Sequence, residues 1–409
     1  MGLGYVGLPT ALSFARVGRR VLGYDVDPAR LGAIRSGNVD SFEEDAESLA
    51  TALDTGAFRL SDDPRILEQA DGIIICVPTP VDENLVPDLS IVRSACATAV
   101  EHAHPGQVLI LTSTTYVGCT DDLLVAPLEQ RGFTVGQDIN VCFSPERINP
   151  GSLDRPEQTP RVIGGATEKC VNRGSELLSP TCALLHRVTS LRAAELTKLL
   201  ENTYRAVNIA FINEMADIAH ELGVPISEVI DAAATKPYGY SAFRPGPGIG
   251  GHCIPVDPHY LLWQLKSARR PAPIIESVMS GVAARPRRVK ARLVELLAAQ
   301  GQPLVGAHIH LWGVAYKPGV ADVRESPALE ILTELVSSGA RVTYSDPRIP
   351  HVSIRGVRLA AVEATEAQAA DITVALTIHP EDDLSILRAS RSVLDTTYGL
   401  PPGPSTATL

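Results

Sequence analysis

Short apolar runs separated by helix-period stretches organise the first third of the chain. Arg20-Val21-Leu22-Gly23-Tyr24-Asp25, Gly72-Ile73-Ile74-Ile75-Cys76-Val77 and Val108-Leu109-Ile110-Leu111-Thr112 are the clearest of them. Such runs read as strands buried on both faces, which is how parallel sheets between helix layers are built. They predict a doubly wound α/β domain over 1–190. Over 191–222 the pattern becomes one continuous helix without proline or glycine, stopped by Gly223 with Pro225 just beyond. Such a helix is roughly 48 Å long at its standard rise. That is long for one domain, and it predicts a connecting or dimer-forming spine. More helix is expected over 227–234 and 274–300, giving a central helical domain at 191–300.

Alternation returns at Gly306. Ala307-His308-Ile309-His310-Leu311-Trp312-Gly313-Val314 reads as a strand, and Ser326-Pro327 supplies an N-cap and first-turn proline for a helix. Arg341-Val342-Thr343-Tyr344 and Asp371-Ile372-Thr373-Val374-Ala375-Leu376 read as further strands. A second α/β domain is therefore expected over 301–400. The proline- and serine-rich residues 401–409 read as a disordered tail. The fold class is α/β: two Rossmann-like doubly wound domains joined by a central helical domain with one long helix.

Composition narrows the function. At 409 residues and net charge −11, the chain offers no footprint for nucleic acid or an anionic membrane surface. No apolar run approaches the roughly 20 residues of a membrane span, and no signal peptide is visible. Seven dispersed cysteines without a CxxC pair fit a reducing compartment. The expectation is a soluble cytoplasmic protein.

Two glycine loops carry the chemistry. Gly2-Leu3-Gly4-Tyr5-Val6-Gly7 matches G-x-G-x-x-G, and Asp25 follows 18 residues after its last glycine. Glycines there permit a tight turn, approach of a pyrophosphate to a helix N-terminus and close helix–strand packing. The acid would accept bonds from ribose hydroxyls, which favours NAD over NADP. The strand that should precede this loop is missing, because Met1 adjoins Gly2. The expectation is a start truncated by several residues; a chain truly beginning here would have a damaged cofactor site. The second loop, Gly248-Ile249-Gly250-Gly251-His252-Cys253-Ile254-Pro255-Val256-Asp257-Pro258, ends in a cysteine with a carboxylate four residues on. A thiol presented there is placed to attack a carbonyl rather than to pack.

Other candidates are individually weaker. Lys198 and Asn202 share a face of the long helix, and Arg205 continues it. The ammonium could stabilise an oxyanion and the amide could hold water, or the stripe is simply solvated. Glu146 follows the strand-like Val141-Cys142-Phe143, where α/β sheets bind ligands, so it is a candidate base or a surface carboxylate paired to Arg147. Ser113-Thr114-Thr115 ends another strand and could position water, or form only a turn. His252, Cys253 and His259 lack the second cluster that a zinc site needs, so no metal is expected.

Taken in order, these segments resemble the UDP-sugar 6-dehydrogenases, the UDP-glucose/GDP-mannose dehydrogenase family, over nearly the whole chain. The resemblance rests on Gly2 to Pro9, Val77-Pro78-Thr79-Pro80, Ser113-Thr114-Thr115, Phe143-Ser144-Pro145-Glu146-Arg147, Lys198 with Asn202, Pro245 to Pro258, Tyr316-Lys317-Pro318 and Arg324-Glu325-Ser326-Pro327. It implies oxidation of a sugar C6 alcohol to a carboxylate in two NAD-dependent steps. Cys253 would form a thiohemiacetal and then a thioester; Lys198 and Asn202 would stabilise charge on the reacting oxygen. Asp257 would hold water or move a proton, Thr114 would position water, and Glu146 would assist hydrolysis. Gly2, Gly4, Tyr5, Val6, Gly7, Asp25, Pro78, Thr79, Thr114 and Arg324 would hold NAD. The UDP-sugar would meet Glu146, Arg147, Lys198, Asn202, Arg205, Phe243, Gly250 and Lys317.

Ser144-Pro145-Glu146-Arg147-Ile148-Asn149-Pro150-Gly151 and Lys236-Pro237-Tyr238-Gly239-Tyr240 resemble the branch acting on UDP-N-acetylglucosamine or UDP-N-acetylmannosamine. The alternatives are UDP-glucose as substrate and, from a different class, an inactive nucleotide-binding protein. A homodimer or higher homo-oligomer is implied. Three positions depart from the family pattern: Thr112 for glutamate, Val117 for proline, and Asp395-Thr396-Thr397-Tyr398 where Asp-Thr-Arg-Asn is common.

Overall fold

The buried apolar runs become strands where the sequence places them, in a computed structural model that describes residues 1–38, 43–147, 158–251, 253–401, 403 and 405–409. The chain divides into two compact units, Met1–Glu201 with His259–Gln264, and Asn202–Pro258 with Leu265–Leu409.

In the first unit β1 (Val21–Tyr24) pairs in parallel with β2 (Phe58–Ser61). A second sheet runs in the order β3 (Gly72–Ile75), β4 (Val108–Leu111), β5 (Asn140–Phe143), β6 (Arg161–Gly165), β7 (Leu185–Arg187). Met1 and Gly2 join the two sheets. The Met1 nitrogen donates to the Ile74 carbonyl at 2.8 Å; Cys76 N–H donates to the Met1 carbonyl and Gly2 N–H to that of Tyr24, each at 2.9 Å. β3, β4 and β5 are parallel, so the segments after them emerge at one edge; β6 runs antiparallel to β5.

The long helix spans Leu191–Glu221, starting in the first unit and ending in the second. Arg285, on the helix Pro273–Ala299, is 4% exposed and bonds the Gly246 carbonyl and the Asp217 carboxylate. The helix Asp257–Ser267, which follows the cysteine loop directly, was not expected; Pro258 stands in its first turn, where a missing N–H costs nothing.

The second unit carries a parallel sheet in the order β14 (Thr406–Thr408), β13 (Val393–Asp395), β12 (Ile372–Ala375), β8 (His308–Trp312), β9 (Arg341–Ser345), with a hairpin of β10 (His351–Ile354) and β11 (Val357–Ala360). The expectation of disorder after residue 400 is corrected here. Thr406–Thr408 pairs with β13, Leu409 is 2% exposed, and the Tyr398 hydroxyl donates to the Leu409 carbonyl at 2.6 Å. Backbone pairing at a sheet edge overrides the proline- and serine-rich composition.

A buried polar ladder links β8 to β9. The His310 ring reaches the Thr343 hydroxyl at 3.0 Å and that of Ser345 at 2.9 Å. Burial, with the neighbouring His308 second, lowers the His310 pKa from 6.5 to about 4. The unfolded chain thus binds a proton that the fold refuses. Stability should be complete above pH 6.5 and fall as pH drops toward 4, by of order 3 kcal/mol. Guanidinium midpoints at pH 7.5 and 4.5 measure this; His310→Gln should shrink the difference, and an equal difference in the variant refutes the assignment.

Candidate active site

The first loop packs as its three glycines require. A Cβ on Gly2 would meet the Cys76 carbonyl oxygen at 2.5 Å, and one on Gly7 would lie 1.7 Å from the Gly2 oxygen. A Cβ on Gly4 meets no protein atom within 4 Å, so that backbone faces open space. The first helix, Gly7–Arg16, starts directly at the loop, and its N-terminal amides and dipole suit a pyrophosphate. The Asp25 carboxylate, beyond the end of β1, accepts from Leu3 N–H at 2.7 Å and Asp27 N–H at 3.0 Å. It fixes the loop, and a carboxylate has lone pairs beyond those two bonds for ribose hydroxyls. The residues therefore fit NAD. Tyr5 is exposed and Val6 half-buried in the same loop.

The segments after β3, β4 and β5 gather further candidates. Ser113 accepts Val77 N–H at 2.9 Å and donates to the Val77 carbonyl at 2.7 Å, tying the Pro78–Thr79 segment to the Thr114 segment. Thr114 is half-buried. Thr112 turns its hydroxyl to the Ile75 carbonyl at 2.7 Å, which accounts for that departure structurally. At Val117 the N–H donates to Gln264 Oε1 at 3.1 Å and the carbonyl accepts from Gln264 Nε2 at 2.7 Å. A proline there has no N–H to give.

Glu146 pairs with Arg161, not with the Arg147 side chain. Arg161 is 2% exposed, and a buried pair of this kind fixes the direction of the carboxylate. Arg147 instead ion-pairs Glu201 and donates its backbone N–H to Glu146 Oε1 at 2.8 Å. Lys198 Nζ donates to the Glu146 backbone carbonyl at 2.9 Å, which brings the expected base and cation together. Sequence reading missed Arg161; its one signal is a charge opening the apolar run Val162-Ile163-Gly164-Gly165. The motif residues 148–151 lie outside the described residues.

In the second unit the Asn202 amide donates to Asp257 Oδ2, and both residues are buried. Asp257 N–H donates to the Cys253 carbonyl at 2.7 Å. Cys253 is exposed. The loop glycines lie flat on the end of the second sheet domain: a Cβ on Gly250 would strike Tyr316 Cβ at 2.7 Å and the Glu325 carbonyl at 2.8 Å. Gly251 N–H donates to the Arg324 carbonyl at 3.1 Å. Lys317 is half-buried, and burial, then the nearby Arg205 charge, lowers its pKa. Two cations held close together mark a place for an anion. Arg324 turns its guanidinium onto Asp322, with contacts of 2.6 to 3.0 Å. Phe243 stacks edge-on against Tyr204, with ring centroids 6.2 Å apart. Asp395 accepts from Thr397 N–H and Leu400 N–H at 2.8 and 2.9 Å, and the departing Thr397 adds its hydroxyl to that turn, donating to Asp395 at 2.7 Å. His252 lies outside the described residues. Among those described, no three His, Cys, Asp or Glu side chains are grouped for a metal, and no helix is long and apolar enough to cross a membrane.

Comparison with known proteins follows the same three segments. Residues 1–181 match the NAD binding domain of the UDP-glucose/GDP-mannose dehydrogenase family, 192–281 its central domain and 310–396 its UDP binding domain. An NDP-N-acetyl-D-galactosaminuronic acid dehydrogenase of Ralstonia nicotianae is 34% identical over 97% of this chain and 94% of its own. A UDP-N-acetyl-D-mannosamine dehydrogenase of Escherichia coli is 36% identical over 82% and 81%. Among solved structures, a UDP-D-ManNAc dehydrogenase of Pyrococcus horikoshii superposes with a TM-score of 0.90 at 31% identity, covering 100% of this chain and 97% of that one.

Proposed function

Because this chain belongs to the UDP-glucose/GDP-mannose dehydrogenase family, we propose that it oxidises the C6 alcohol of a UDP-N-acetylhexosamine to the carboxylate, with Cys253 as nucleophile. It is an oxidoreductase, and NAD is its cofactor. The observation that carries the reading is an exposed thiol ending a glycine loop, one helical turn before a buried carboxylate held by Asn202.

Two NAD molecules, bound in turn, would each accept one hydride, one per oxidation. Lys198 and Asn202 stabilise the C6 oxygen as its proton leaves, and Asp257 takes up that proton. The Cys253 sulfur adds to the aldehyde carbon, forming a C–S bond and a thiohemiacetal. Loss of the second hydride from that carbon leaves a thioester, so the half-oxidised sugar never escapes. Glu146, held by Arg161, directs a water positioned by Thr114 at the thioester carbonyl. The C–O bond forms, the C–S bond breaks, and the thiol and a carboxylate are restored. Lys317 and Arg205 suit the diphosphate of the UDP moiety.

The relatives' N-acetylated substrates favour UDP-N-acetylglucosamine or UDP-N-acetylmannosamine over UDP-glucose. None of the seven cysteines forms a disulfide, in keeping with a cytoplasmic setting. We read a homodimer from the long helix, whose Tyr204, Phe211 and Ile218 are 52%, 56% and 43% exposed. NADH yield with UDP-N-acetylglucosamine, UDP-N-acetylmannosamine, UDP-glucose and UDP-galactose tests the proposal. Two NADH and one carboxylate per sugar are expected, with an N-acetylated sugar fastest. One NADH with a carbonyl product defeats it.

A further inference from the structure

The chemistry above leaves one buried acid on the long helix unused. Glu195 sits one turn before Lys198 and is 1% exposed. Its Oε2 accepts Gly118 N–H at 2.6 Å, and its Oε1 accepts Thr120 N–H at 2.9 Å and the Thr120 hydroxyl at 2.7 Å. Burial raises its pKa in spite of those bonds. Desolvation therefore outweighs the bonds, and a carboxylate is a costly way to fill this space.

Gly118 and Thr120 belong to the segment that leaves β4 through Thr114. That segment is pinned on three sides. Ser113 is bonded both ways to the Val77 backbone. Val117 is bonded both ways to the Gln264 amide. Gly118 and Thr120 are held by Glu195. Thr114 lies between these pins, with little backbone freedom of its own.

We propose that Glu195 is a positioning residue for the hydrolytic half of the reaction, setting the Thr114 segment in register with the helix that carries Lys198. The inference rests on the functional reading above. The step served is attack of water on the thioester: the water oxygen bonds to C6, the C–S bond breaks, and the sulfur leaves to regain a proton. A displacement of about 1 Å in such a constellation can cost about 100-fold in rate. Both carboxylate oxygens face only donors. A glutamine at 195 must turn its own NH2 toward one of them, so charge and shape are both required.

The test compares Glu195→Gln, Glu195→Asp and Thr120→Val with the wild-type enzyme, whose NADH yield per sugar checks the functional reading separately. In Glu195→Gln, kcat should fall about tenfold or more, with KM for NAD and for the sugar within about twofold. Acyl-enzyme on Cys253 should accumulate in the intact-mass spectrum after two NADH have formed. Glu195→Asp should recover part of the loss. Thr120→Val, which keeps both backbone bonds, should fall about two- to fivefold and carries the test if the glutamine variant fails to fold. A kcat unchanged within twofold in folded variants overturns the proposal. So does a loss that merely tracks the folded fraction with no acyl species.

Discussion

Cys253→Ala should lower turnover by about 10⁴-fold or more, with NAD and UDP-sugar still bound and the melting temperature within about 2 °C of wild type, if Cys253 is the proposed nucleophile. The size follows from the role. Removing a nucleophile closes the covalent route and leaves only whatever binding and oxyanion stabilisation supply. The unchanged stability follows from the exposed side chain, since its loss opens no cavity in the core. The neighbouring glycines, and the Asp257 N–H bond to the Cys253 backbone carbonyl, are untouched by the change. Steady-state NADH formation, calorimetric titration of both ligands and a thermal melt measure the three parts. Activity above about 1% of wild type in pure protein would exclude the covalent route.

Phe211→Asp combined with Ile218→Asp should convert the proposed dimer to monomers at micromolar concentration. Single exposed apolar residues are ordinary on a soluble surface. Tyr204, Phe211 and Ile218 are different because they recur every seven residues along one helix, the spacing of a helix-packing seam. In a two-fold interface each substitution appears twice. Burying unpaired carboxylates there costs several kcal/mol, so the dimer should weaken by about 10³-fold or more. Sedimentation equilibrium reads the result directly. A double variant with the same mass as wild type at the same concentration removes the helix from the interface.

Much of this architecture is legible in the sequence because its signals are local. The run Val108 to Thr112 becomes β4, and the proline-free stretch ends in a helix at Glu221, just before Gly223. The glycine fingerprint likewise carries its geometry within a few residues, down to the open face at Gly4. What escaped depends on distant partners. The antiparallel β6 and the strand Thr406–Thr408 exist because a neighbouring strand offers backbone groups, not because their own residues demand it. Arg161 and Glu195 look like ordinary charges until the fold buries them, one beside Glu146 and the other beneath backbone amides some 75 positions away. The helix Asp257–Ser267 was hidden by Pro258, which stands in its first turn, where a helix tolerates proline.

The accessible thiol has a practical side. A sulfur open to a sugar is also open to peroxide and to alkylating reagents, whereas burial pushes Cys119 up to about 12 and raises Cys96 and Cys142 as well. A limiting dose of iodoacetamide should therefore mark position 253 ahead of those three, so that the label counts working sites in a preparation and its loss reports oxidative damage.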